Sequence, residues 1–136
     1  MDNTIFEKLK AKPDMIATLL YAPHEYPSYN AFSDTKDNKG NKSEFVHLFV
    51  KSQAEFAERF SEASNAVADG GLFWVSYPKS DRKNKYDINR NSLWGLVIPL
   101  GWHPVGQISL SDEWSAVRLK RNEDGVVYEC PGNVKK

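Results

Sequence analysis

The segment Leu72 to Tyr77, LFWVSY, is the feature that most narrows what this chain can fold into. It is almost wholly apolar and rich in residues that favour strands. Gly70-Gly71 bounds it on one side and Pro78-Lys79 on the other. A strand with one wet face alternates apolar and polar residues, whereas a strand without that alternation is covered on both faces. The segment therefore reads as a central strand with helices above and below it. Pro78 has no N–H to give to a ladder, so the strand stops there and turns into a loop. The chain has 136 residues. That length fits a single domain, and its core needs neither disulfides nor a metal.

The flanking segments fit the same architecture. MIATLLY (15–21) and FVHLFV (45–50) are compact apolar runs between turn signals and read as two further buried strands. Thr4 and Glu7 have capping-box spacing, which predicts a short first helix ending before Pro13. Ser52 and Glu55 repeat the spacing, and Phe56, Phe60, Ala63 and Val67 then share one helical face. Asp69-Gly70-Gly71 is expected to end this helix, with a glycine as its left-handed cap. Asp87 is expected to cap another helix running to about Ile98, with Leu93, Leu96 and Val97 inward and Pro99 and Gly101 closing it. Pro104 to Leu110 and Trp114 to Lys120 read as two strands joined by a Ser-Asp-Glu turn. The polar stretch 33–43 reads as a flexible loop, and Asp124-Gly125 predicts a hairpin, so that 122–136 is a tail or an added edge strand. The order predicts an α/β fold: one three-layer domain over residues 1–136, with a mixed, mostly parallel sheet that ends in an antiparallel hairpin.

Charge and composition exclude several roles. Lys and Arg together number 18, as do Asp and Glu, so the formal net charge is zero. No global basic field exists to hold nucleic acid or an acidic membrane, which argues against both as partners. Cys130 is the single cysteine, which forbids an internal disulfide and suits a reducing compartment. The opening residues lack the apolar stretch of a signal peptide, and the apolar runs are far too short to span a bilayer. The expectation is a cytoplasmic protein. His24, His47 and His103 lie far apart and lack zinc-site spacing, so no metal is expected.

The block "helix, Gly-Gly, LFWV" resembles the late strands of cofactor-dependent methyltransferases, and the layout resembles a truncated, Rossmann-like nucleotide-binding half. Those enzymes place a glycine-rich turn after their first strand. Here that strand runs into Ala22-Pro23-His24-Glu25, and a proline fixes the backbone and removes a donor. No cofactor is therefore expected. Lys12-Pro13, Ala22-Pro23, Gly71, Trp74, Pro78-Lys79, Asp87, Arg90, Gly101, Val105, Trp114-Ser115 and Arg118 together resemble a small bacterial family of stand-alone α/β domains of unknown function. Its signatures are Gly-Gly, an aromatic strand and Pro-Lys, then Trp-Ser-Ala-x-Arg. The resemblance implies a fold and a compartment rather than a substrate, and the loop 33–43 and the tail after Arg121 depart from it.

Strand ends are where α/β sheets keep their ligands. His24 follows the first strand, Lys79 ends the central one, and Asp87 and Arg90 open the next helix. With Ala22 and Pro23, these four are the candidates for one anion-binding pocket, and Arg118 is a further candidate reaching across the sheet. A solvated loop knitted by an Asp87–Arg90 ion pair is the competing reading. Ser76 and Ser115 lack a nucleophile elbow, Cys130 has no base partner, and no catalytic residue is assigned. The residues favour a non-catalytic domain that binds a small anionic metabolite or a protein partner. A small enzyme remains open, with His24 or Asp87 as base and Lys79 or Arg90 as anion stabilisers. So does an oligomerisation module, such as a homodimer, that uses the terminal hairpin as an edge.

Overall fold

Leu72–Tyr77 lies in the middle of the sheet. In the computed structural model, residues 4–27 and 42–126 are described. The elements are α1 (Ile5–Lys8), β1 (Ala17–Leu20), β2 (Ser43–Phe49), α2 (Gln53–Ala66), β3 (Val67–Pro78) and α3 (Arg90–Val97). A 3-10 turn (Ile98–Leu100), β4 (Trp102–Ser109) and β5 (Trp114–Arg121) follow. The strands lie in the order β1-β2-β3-β5-β4. β1, β2 and β3 are parallel, and β5 is antiparallel to both β3 and β4. β4 therefore runs with the first three strands, and the one reversed strand is wedged inside the sheet.

Strand alternation sends the apolar residues to two cores. Val46, Leu48, Phe73, Val75, Tyr77, Val117 and Leu119 meet Phe56, Phe60 and Ala63 of α2 and Leu93 and Val97 of α3. On the other face, Phe45, Phe49, Trp74, Trp114 and Ala116 meet Ile5 and Phe6 of α1 and the adjoining Leu9. The expected layering is present, with helices on both faces of a mixed sheet. Trp74 is buried, and its indole Nε1 donates to the Leu9 carbonyl at 3.0 Å, which ties the first segment to the central strand. Among the described residues no helix is long and apolar enough to cross a membrane.

Three local expectations need correction. α2 ends at Ala66, and the next residue, Val67, is already extended (φ −85°, ψ 133°), so no glycine caps it. The glycines serve β3 instead. Ser43 pairs with Val67, but Phe45 pairs with Leu72, so residues 68–71 bulge out of the ladder, with Gly70 at φ +75°. A Cβ at Gly71 would lie 3.0 Å from the Ala68 carbonyl oxygen and 3.1 Å from that of Glu44. Both are backbone atoms that cannot swing aside, so Gly71→Ala is expected to destabilise the protein by about 1–3 kcal/mol in urea unfolding. Gly106→Ala, where a Cβ meets open space, is expected to stay within about 0.5 kcal/mol. Second, Asn89 rather than Asp87 caps α3, in a reciprocal capping box with Ser92. Third, α1 is a four-residue helix without a side-chain cap from Thr4. Most of the loop 33–43, and the edge strand expected from 126 to 130 beyond Val126, lie outside the described residues.

Candidate ligand-binding cleft

The carboxyl ends of β1, β2 and β3 open together into a cleft of about 740 Å³. Four short segments wall it: Tyr21–Glu25 after β1, Lys51, Glu55 and Arg59 at the start of α2, Lys79 to Tyr86 after β3, and Asp112-Glu113 in the β4–β5 turn. Phe49, Pro78 and Trp114 are buried and supply the apolar base, with the Phe49 and Trp114 rings edge to face at 5.1 Å.

Each wall is held by local chemistry. Ser52 caps α2 by accepting from the Glu55 N–H at 3.0 Å, while Glu55 Oε1 accepts from the Lys51 N–H at 2.8 Å. The capping box is thus displaced by one residue. The same carboxylate pairs with Arg59 at 3.1 Å, the one ion pair among the described residues. Arg59 also donates to the Phe49 carbonyl at 3.2 Å and lies 4.0 Å from the centre of the Tyr21 ring. The loop after β3 folds around Asp81, whose Oδ1 accepts from the Lys83 and Asn84 N–H groups. Lys79 is positioned twice: its N–H donates to the Glu113 carbonyl at 2.9 Å and its Nζ to Ser109 Oγ at 2.6 Å. No carboxylate among the described residues reaches its ammonium within 4.0 Å. Two of its three donors are left for the cleft.

Of the residues proposed from sequence, His24 and Lys79 line this cleft together with Ala22 and Pro23. Asp87 is used elsewhere: its Oδ1 accepts from the Gln53 N–H at 2.9 Å, and its carbonyl accepts from Gln53 Nε2 at 2.6 Å. It clamps the end of the loop onto the first turn of α2, where a carboxylate suits the helix dipole. Arg90 lies in a separate groove by β4, 5.7 Å over the Trp94 ring. Lys79 and Arg90 therefore do not share a pocket, and Asp87 and Arg90 form no ion pair. Arg118 pairs in register with Trp74, four residues along β5 from the Trp114 that lines the cleft, and is not part of its wall.

Beneath the cleft is a polar chain that sequence reading missed. His47 is fully buried on β2 between Phe45 and Phe49. Its Nδ1 is 2.9 Å from the Tyr26 hydroxyl and its Nε2 is 2.7 Å from Ser76 Oγ. Its ring stacks on Phe49 at 4.4 Å. Burial pushes its pKa down to about 3 and that of Tyr26 well above the ordinary phenol range. A neutral imidazole has one N–H and one free lone pair, so one hydroxyl donates a hydrogen bond to the ring and the other accepts one from it. The signal was the alternation Phe45-x-His47-x-Phe49, which places the histidine on a core face. Its partners depend on the pairing of β2 with β3, which one sequence does not disclose.

Comparison with known proteins supports the fold. No protein-family model matches the chain, and no curated protein matches it. Solved structures do. The DhpI–SAH complex superposes with a TM-score of 0.53 at 11% identity, covering 86% of this chain and 82% of DhpI. LepI in complex with SAM superposes with a TM-score of 0.51 at 9% identity, covering 87% of this chain and 39% of LepI. The chain thus shares the α/β fold of DhpI and LepI, while spanning well under half of LepI.

Proposed function

We propose that this chain is a small-molecule-binding α/β domain whose ligand enters the cleft at the ends of β1, β2 and β3 and carries an anionic group. The observation that supports it most is Lys79, an ammonium fixed by Ser109 with no carboxylate partner among the described residues, over an apolar base. Lys51 lines the same cleft. Glu25, Asp112 and Glu113 also line it, so the ligand's other groups are hydrogen-bond donors such as hydroxyls or an amine.

The two similar structures hold SAH and SAM, and the same fold makes these candidates here. The turn after β1 does not fit a glycine-type cradle. Tyr21 occupies it at φ +62° with its hydroxyl on Glu62 at 2.9 Å, and Pro23 has no N–H. Binding without turnover is the reading the side chains favour. The serine–histidine pair is sealed below Phe49, and His24 is the one histidine on the cleft wall.

A thermal-shift screen of phosphates, nucleotides, small carboxylates, SAM and SAH tests this. A ligand at a hundred times its Kd adds about 2.7 kcal/mol. That should raise the midpoint by roughly 10 °C in a domain of this size. The expected result is a shift in wild type that is lost in Lys51→Ala/Lys79→Ala. A screen without a hit, or a hit that the double variant keeps, would contradict the proposal.

A further inference from the structure

Arg90 and Trp94, one turn apart on α3, face a second recess. It is a groove of about 240 Å³ between α3 and the edge strand β4, closed by Pro104, Val105, Gln107 and Val117. Its lining is less mixed than the cleft's: among the described residues, one guanidinium and no carboxylate line it. The Trp94 indole Nε1 is shielded from solvent and meets no acceptor among the described residues. A donor left in that state is destabilising, and an acceptor that reached it would recover much of that loss. Gln107 is already oriented, with its Nε2 donating to the Tyr77 hydroxyl at 3.0 Å. The Arg90 charge also acts on that hydroxyl, since it lowers a pKa that burial raises.

We infer that this groove binds a small monocarboxylate with a short apolar chain. One carboxylate oxygen takes the Arg90 guanidinium and the other the Trp94 indole N–H. The planar fork of arginine matches a planar carboxylate. The recess is smaller than the 300–1,000 Å³ usual for larger ligands, which limits the tail to a few carbons along Pro104, Val105 and Val117. A phosphate dianion would need more donors than the groove supplies. Arg90 is exposed and lies over the indole ring, so its guanidinium can swing to admit the ligand.

Titration with butyrate, followed on the Trp94 indole N–H resonance, tests the inference. The peak is assigned by its disappearance in Trp94→Phe. It should move downfield and saturate with butyrate, and stay still with chloride or phosphate at equal ionic strength. Arg90→Ala should weaken the apparent Kd at least tenfold, while Lys79→Ala should leave it unchanged. The last arm separates this groove from the cleft, so either site can fail without the other. An unmoved or unsaturable resonance, or an undiminished response in Arg90→Ala, would overturn the inference.

Discussion

Below pH 6.5 this protein is expected to lose about 1.4 kcal/mol of stability per pH unit through His47 alone, reaching about 3 kcal/mol by pH 4. The imidazole is fully buried, and desolvation holds its pKa at about 3 in the folded chain. In the unfolded chain it returns to about 6.5. Between those values the unfolded state binds the extra proton, so stability rises with pH. The contribution is complete above pH 6.5 and is lost as pH falls toward 3. His47→Gln keeps a donor and an acceptor for Tyr26 and Ser76 but cannot titrate. Urea unfolding of both proteins from pH 7.5 to pH 4 isolates the effect, because every other ionisable group is common to the two and cancels in the difference. The gap between the two proteins should narrow steadily as the pH falls. Parallel curves would mean that His47 is not held neutral by burial.

Phe49→Ala should have the second large effect, about 3–5 kcal/mol of lost stability. The ring stacks on His47, meets Tyr26 and Trp114 edge to face, and also lines the cleft. It lines the cleft on one side and stacks on the buried imidazole on the other, so it separates the two. Its removal should therefore also raise the His47 pKa from about 3 toward 6.5, read by NMR titration of the ring protons. Phe49→Leu keeps an apolar cover while giving up the stack, so the pKa should stay low. An imidazole still titrating near pH 3 in Phe49→Ala would identify some other group as the barrier.

Much of the fold was legible because apolar burial leaves a local trace. The unbroken apolar run at 72–77, the alternating core positions of β2 and the Phe56-Phe60-Ala63 stripe each pointed to its element. The strand ends then placed His24 and Lys79 at one mouth. What stayed hidden depends on pairing between distant segments. The bulge at 68–71 arises only when Glu44 lies beside Gly71, so the two glycines looked like a helix cap. Arg90 follows Asp87 by three residues, but Asn89 begins the helix and turns the arginine away from the cleft. Asp87, two residues before Asn89, is taken by Gln53. The Tyr26–His47–Ser76 chain joins three segments through one parallel register, and no single segment announces it.

Binding at the ends of the parallel strands is the central claim, and an amide chemical-shift titration with pyrophosphate tests it most directly. Saturable shifts should cluster at Ala22, His24, Lys51, Lys79 and Glu113, and should vanish in Lys51→Ala/Lys79→Ala. Saturable shifts confined to Arg90, Trp94 and Gly106, or no shift that saturates anywhere, would contradict it.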